Sequence, residues 1–427
     1  MKKYWKETVK YALRCYPIIS RYIKEIERYY EMPIEELQRR NEERFLKIFR
    51  KAYMKSSFYY HLYTEAGIKI EDICTLDDIK KLPVITKDMI KQHALEMLTV
   101  PKWKVFPNHT SGTTGSPLMV YESWESIWRE QAYFYCYRKR CGFTYGECLA
   151  SLRGNLGKKD TVMYVHLSHT LYLSSYNLNP VTSLIYFEAL QKYKPKAIEG
   201  YPSALYILAS YFEDNNLSYK IPVCFTSSEN LMDWQRMKIE KVFQTKVFDH
   251  YGTTERSIRL SESLDHDGYF EDPGYSINEY TEDGEITTSL INSAFPLIRY
   301  KTFDIIELRE QCRNQNNFIK SISGRTITTI RGKDGSVYNN AALTFILKEG
   351  KGIKFAQFIQ QKDKHVDLNI VLAEGVLTEK IKVSLFDLID EKIGLSNIDI
   401  EIHQISESEL IYTSRNKFSY IISRIED

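Results

Sequence analysis

The segment HTSGTTGSP, residues 109–117, is the stretch of this sequence whose residue types best suit chemistry. It lies between two strand-like runs, KVFP and LMVY. Gly112 and Gly115 allow tight turns and let main-chain N–H groups approach an anion closely. The hydroxyls of Thr110, Ser111, Thr113, Thr114 and Ser116 add further donors. Such a loop can grip a phosphate. It is not a Walker A loop, because no GK[ST] follows. By composition alone, a run of this kind also reads as a plain hairpin turn. Three further segments place an acid after strand-like runs: Glu255 in FDHYGTTE, Asp304 in RYKTFD, and Glu229 in PVCFTSSEN. Lys417 stands in TSRNKFS near the far end. His166, His169 and His250 do not have the spacing of a metal triad.

The elements that must hold these groups show in the apolar spacing. Residues 1–100 read as a helical lead-in, with EELQRRNEERFLKIFRKAYMKS strongly periodic. Pro83 breaks that pattern, and Thr86 is placed to cap the following helix. Tyr4, Val9, Tyr11, Leu13, Ile18, Ile19, Ile23 and Ile26 suggest one or two amphipathic helices with an apolar stripe in the first thirty residues. That stripe suits packing on the main domain, or contact with a membrane surface or a partner. From about residue 101, strand-length apolar runs alternate with helix-length amphipathic ones, which predicts βα units and a mostly parallel sheet flanked by helices. Between 265 and 325 the turn signals DHDG, EDPG and TEDGE and alternating strands predict an antiparallel subdomain. A boundary is expected near Arg325. The β-β-α-β order after it predicts a small, mobile C-terminal α/β lid over 326–427, beside a large domain over 1–325.

Composition narrows the classes. The 427 residues are 43% hydrophobic and 27% charged, as in a folded globular protein. Lys and Arg number 58 against 56 acids, a balance that excludes a dedicated nucleic-acid binder. No run approaches the roughly 18 consecutive apolar residues of a spanning helix, and no signal-peptide pattern opens the chain. Seven scattered cysteines without a CxxC pair predict reduced thiols in a cytoplasm and no thiolate zinc site. The 32 tyrosines suit either core packing or an aromatic-lined pocket.

TSGTTGSP resembles the Ser/Thr/Gly-rich loop of the adenylate-forming superfamily of acyl-CoA synthetases, peptide-synthetase adenylation domains and luciferases. Four more segments are similar to that family's motifs, in the same order: FDHYGTTE, RYKTFD, Gly324-Arg325 with KDGSVYN, and TSRNKFSYIISR. Together they cover the chain from about residue 100 onward. The short helical N-terminus, GYPSAL, SSEN and KDGSVYN look most like the phenylacetate–CoA ligase-like branch, and within it the capsular-polysaccharide-biosynthesis proteins. Three departures stand out. Leu118 occupies a position where many members carry Lys, Phe303 replaces a Gly, and Thr328 sits where many relatives have an acidic hinge residue.

The resemblance implies an enzyme that uses ATP and Mg²⁺ to activate a carboxylic acid as an acyl-AMP. It then passes the acyl group to CoA or a carrier thiol. The branch adds a sugar hydroxyl or amine in surface-polysaccharide assembly as an alternative acceptor. A nucleotide-binding assembly protein without catalysis is a different class. The resemblance also implies roles. Residues 110–116 hold phosphates, Glu255 holds Mg²⁺, and Thr254 meets the α-phosphate beside Tyr251, Gly252 and Thr253. Ser228, Glu229 and Asn230 read adenine. Asp304 takes both ribose hydroxyls, and Arg325 reaches phosphate or ribose. Lys417 bridges the carboxylate and α-phosphate oxygens. The acyl pocket is expected between Tyr201, the HTLYLSSYNL loop with Ser174 and Ser175, and His250. Taken alone, each has a plainer reading: a helix-start charge for Glu255, a turn cap for Asp304, a surface residue for Arg325, a strand-to-helix turn for 228–230, a solvated tail for Lys417, and packing for the pocket residues.

Overall fold

Apolar spacing makes the lead-in helical: α1 (Lys2–Ala12), α2 (Tyr16–Glu31), α3 (Ile34–Lys55), α4 (Ser57–Glu65) and α5 (Lys87–His93). The computed structural model describes residues 2–109, 118–156, 160–281, 284–302, 304–309, 318–325, 330–334, 336–338, 343, 352–372, 375, 377–412 and 418–425. Thr86 caps α5 as expected, its hydroxyl accepting from the Met89 N–H at 3.4 Å. Helix α2 buries Ile19, Tyr22, Ile23, Ile26 and Tyr29, a stripe at helical spacing. Val9, Leu13 and Ile18, expected on the same stripe, are instead exposed. The chain turns at Cys15 between α1 and α2, so the two helices do not share one apolar face.

The chain divides into two compact units. The first holds Met1–Thr281, Glu285–Thr302 and Glu307–Ser321; the second holds Ile322–Asp427 with Glu282–Gly284 and Phe303–Ile306. In the first, a hairpin of β1 (Val105–His109) and β2 (Met119–Ser123) leads into α6 (Trp124–Arg140). Then come β3 (Leu149–Arg153), β4 (Val162–Val165), β5 (Thr170–Ser174), α7 (Pro180–Tyr193), β6 (Ala197–Gly200), α8 (Pro202–Asp214), β7 (Val223–Ser227), α9 (Asp233–Phe243) and β8 (Lys246–Gly252). The strands β9 (Arg259–Glu262), β10 (Tyr269–Glu271), β11 (Ser276–Thr281), β12 (Gly284–Ser289), β13 (Tyr300–Lys301), β14 (Asp304–Leu308) and β15 (Phe318–Arg325) follow.

Ten of these strands form one mixed sheet, ordered β14-β15-β10-β9-β8-β7-β6-β3-β5-β4. Its centre, β5-β3-β6-β7-β8, is parallel. Helices α7, α8 and α9 supply the crossovers that parallel strands require. The turns joining β8, β9 and β10 are too short for a crossover, so these strands pair antiparallel. Part of the antiparallel region expected between 265 and 325 extends the parallel sheet, while β11, β12 and β13 form a small sheet of their own. Residues 170–174, expected in a loop, are a strand buried at every position.

Many of the tyrosines serve as core: Tyr59, Tyr63, Tyr133, Tyr137, Tyr186 and Tyr275 are among the largest fully buried side chains. Polar tethers cross that core. Arg259 and Asp272 pair at 2.6 Å with both side chains buried. Asp272 also accepts from the Tyr30 hydroxyl of α2 at 2.5 Å and the Ser261 hydroxyl at 2.9 Å, and Arg259 reaches Glu130 of α6 at 3.4 Å. Asp272→Ala would leave a buried guanidinium with only Glu130. The expected cost is about 3–5 kcal/mol, seen as a lower urea midpoint at unchanged slope. A midpoint equal to wild type would show that the pair contributes nothing.

In the second unit, β16 (Ile330–Arg331) pairs with β17 (Val337–Tyr338). A four-stranded sheet, β20-β19-β18-β21, is built from β18 (Ile353–Gln360), β19 (Val366–Leu372), β20 (Ile400–Gln404) and β21 (Ile421–Ser423). Helix α10 (Glu379–Lys392) packs Leu385 and Ile389 against Phe358, Leu368 and Ile370 of that sheet. Cys15, Cys74, Cys136, Cys141, Cys148 and Cys224 are free; burial pushes the thiols of Cys136 and Cys141 up to about 12. Among the described residues, no helix is long and apolar enough to cross a membrane.

Candidate active site

In an open α/β sheet, ligands sit at the carboxyl ends of the parallel strands. Register fixes which residues meet there. Leu173, Leu152, Gly200, Thr226 and Asp249 lie side by side on β5, β3, β6, β7 and β8. The next row is therefore Ser174, Arg153, Tyr201, Ser227 and His250. The structure thus brings Ser174, Tyr201, His250 and the 228–230 turn to one edge of the first unit.

Each strand end has its own local device. Gly200 is required because a Cβ there would meet Leu205 Cγ at 2.8 Å and the Leu152 carbonyl at 3.0 Å. Tyr201 follows it and stands at the N-cap position of α8, its hydroxyl accepting a hydrogen bond from the Gly154 main chain. Ser228 stands in the left-handed region at φ 74°, a conformation that costs a non-glycine residue free energy and that clusters at functional turns. The Glu229 carboxylate accepts from the Ser203 N–H at 3.0 Å, where the positive end of α8 favours an anion. Ser174 caps the turn after β5, its hydroxyl accepting from the Tyr176 N–H at 3.3 Å. Ser175 beside it is buried.

His250 is buried, and its ring meets Phe134 edge-on at 5.0 Å. Burial first, then the charges of Arg259, Arg153 and Arg138, hold its pKa well below the ordinary range. The imidazole is therefore neutral. Beyond it, the Tyr251 hydroxyl donates to Glu285 at 3.1 Å. Thr253 turns its hydroxyl inward, 2.9 Å from Ser257 Oγ. Thr254 is half-buried and Glu255 is buried, with the Tyr300 hydroxyl 3.4 Å from Glu255 Oε1. Arg256 ties this turn to the β1–β2 hairpin. It pairs with Glu122 Oε1 at 2.8 Å, and Asn108 donates to the same oxygen at 2.8 Å. The hairpin's last pair is His109 with Met119. The phosphate-type segment 110–116 lies between those two residues and outside the described residues. Leu118 is wholly buried in the core, an apolar environment that suits Leu.

Asp304 opens β14 and is buried. Arg325 ends β15; its side chain, with Phe303, Thr328 and Lys417, lies outside the described residues. Tyr412 and Phe418, on either side of 413–417, form an antiparallel bridge with their rings 5.9 Å apart. Among the described residues, no group of three or more His, Cys, Asp or Glu stands together as a metal site.

Sequence reasoning missed an ionic cluster at this edge. Glu199 on β6 pairs with Arg138 of α6 and accepts from the Ser151 hydroxyl at 2.8 Å. Arg153 lies 3.9 Å from Glu199 and donates to the Ser227 hydroxyl at 2.6 Å. Burial alone would raise the Glu199 carboxyl, but Arg153 and Arg138 hold it down to about 2. The available signal was a lone acid inside an apolar strand run, AIEG, and a lone Arg closing LASLR.

The fold is that of the adenylate-forming ligases. It aligns with 2-hydroxyisobutyryl-CoA ligase in complex with 2-HIB-AMP at a TM-score of 0.70 and 16% identity, covering 92% of this chain and 90% of that one. In sequence the chain is 26% identical over 390 residues to Protein CapK of Staphylococcus aureus, covering 85% of each. It is 24% identical over 336 residues to the phenylacetate-coenzyme A ligase of Pseudomonas putida, covering 70% of this chain and 73% of that one. No protein-family model matches the chain. Phenylacetate-coenzyme A ligases stand among the homologues and acid–CoA ligases among the structural neighbours, and with CapK they match the superfamily and branch that the motifs resemble.

Proposed function

We propose that this protein activates a carboxylic acid with ATP as an acyl-adenylate and passes the acyl group to a thiol such as CoA. The observation that carries the reading is the row of strand ends that runs from Arg153 through Tyr201 and Ser227 to His250, beside the YGTTE turn. The ligase relatives support it. In the first step a carboxylate oxygen bonds to the α-phosphorus, and the bond to the β-phosphate breaks, releasing pyrophosphate. In the second, the thiolate sulfur bonds to the acyl carbon, and AMP leaves.

Both partners in the first step are anions, so the site must neutralise charge and hold the attack in line. Residues 110–116 grip the phosphates, and Thr254 meets the α-phosphate. The turn at Ser228, Glu229 and Asn230 reads the base through its main chain. The Glu229 carboxylate itself is engaged by α8. Asp304 takes the ribose hydroxyls, and Arg325 and Lys417 supply positive charge. Mg²⁺ commonly uses one or two carboxylates and takes its other ligands from phosphates and water. The buried Glu255 carboxylate fits that donor set. When bound, the ion would offset negative charge on the phosphates.

A second reading keeps the first step and changes the acceptor to a sugar hydroxyl or amine in surface-polysaccharide assembly. The similarity to Protein CapK over 85% of both chains favours it. Pyrophosphate release with ATP, Mg²⁺ and an acid library tests the activation step, and added CoA separates the two acceptors. No release with any acid would sink the enzyme reading.

ATP with Mg²⁺ is expected to bind without a partner protein and to raise the melting temperature. At a hundred times Kd, such binding adds about 2.7 kcal/mol of stability. A flat titration to millimolar ATP would remove the nucleotide assignment.

A further inference from the structure

A cavity of about 400 Å³ runs along the face of β3 beneath α6 and is walled in part by α1. It reaches Arg153 at the carboxyl edge, and Phe134 in its wall touches His250. Its volume suits a small ligand. Its lining is not that of a hydrocarbon pocket. Four cations, Lys10, Arg14, Arg138 and Arg153, face three carboxylates, Glu7, Glu147 and Glu199.

The three carboxylates already have partners. Glu7 accepts from the Tyr172 hydroxyl at 3.2 Å and lies 3.5 Å from Lys10. Glu147 accepts from the Thr144 N–H at 2.7 Å. Glu199 holds Arg138 and Ser151. The donors are not all used. Arg153 gives one nitrogen to Ser227, while its buried Nε has no partner among the described residues. Among the described residues the half-buried Arg14 guanidinium makes no hydrogen bond or ion pair; burial first, then the nearby charge of Arg256, act against its charged form, while the charges of Glu122 and Glu7 favour it. Guanidinium donors left without acceptors are costly where they are buried, as Arg153 Nε is. A carboxylate or phosphate satisfies them in bidentate fashion.

We propose that the acid this protein activates carries a second anionic group, a carboxylate or a phosphate, which Arg14 and Arg153 bind inside this cavity. The inference rests on the adenylating reading above. It makes the turn between α1 and α2, which none of the motifs includes, a specificity element.

The test compares matched acids in pyrophosphate release with ATP and Mg²⁺: glutarate against pentanoate for a second carboxylate, and 3-phosphoglycerate against glycerate for a phosphate. At least one dianionic member is expected to exceed its partner about tenfold or more in kcat/KM. Arg14→Gln and Arg153→Gln should each reduce that preference by roughly tenfold to a hundredfold, the size of a charged hydrogen bond. Equal use of both members in both pairs overturns the inference and leaves adenylation standing. So does an Arg14→Gln variant that lowers all acids equally, since Arg14 would then hold the reacting carboxylate. Absence of release with every acid overturns adenylation and this inference with it. If Arg153→Gln fails to fold, Arg14→Gln decides alone, because Arg14 makes no side-chain bond to the described protein.

Discussion

Lys417→Ala is expected to cut acid-dependent pyrophosphate release about a hundredfold to a thousandfold, the usual cost of removing one aimed donor from a developing charge. The ATP-induced rise in melting temperature should stay nearly intact. The role rests on TSRNKFS and its resemblance to the superfamily's terminal motif. Described residues frame the segment: Tyr412 and Phe418 are paired across it. An ammonium on a long stem can meet carboxylate and α-phosphate oxygens together. Charge moves between those oxygens as the bond forms, so the loss falls on the transition state rather than on bound ATP. Equal turnover in mutant and wild type would make Lys417 a solvated residue. Loss of ATP binding together with turnover would point to a structural role.

Asp304→Ala should act at the other stage. If the carboxylate grips both ribose hydroxyls, two charge-assisted hydrogen bonds are lost, each worth about 1.5–3 kcal/mol. ATP affinity should then fall a hundredfold or more, read by calorimetric titration. The plainer role, a turn cap, is worth only about 1 kcal/mol. Asp304 is buried at the start of a strand, so the melting temperature of the unliganded variant must be measured beside the affinity. A variant that melts lower yet binds ATP as tightly as wild type would remove the ribose assignment.

Much of this architecture is legible in local sequence. Alternating helix-length and strand-length runs gave α7, β6, α8, β7, α9 and β8 in order, because each crossover helix needs its own apolar stripe and each buried strand its own apolar run. PVCFTS reads as a strand and is one, β7. HTLYLSSYNL was less legible. Its Thr, Tyr and Ser residues suggest a loop, yet Thr170–Ser174 is a wholly buried strand between β3 and β4. Its neighbours on both edges, not its own composition, decide that state.

What the sequence determined by itself is what a few neighbouring residues can determine: the capping of α5 by Thr86, the crossover helices and the order of the motifs. The tertiary structure decided which distant groups meet. Strand order and register put Arg153, Tyr201, Ser227 and His250 in one row. They also let α6 bring Arg138 onto Glu199, and Arg256 reach back to Glu122. None of these pairings is local, and a register shift of one residue would turn each strand's side chains to the opposite face. The register is set by burial summed over the whole sheet, a quantity that no single segment carries.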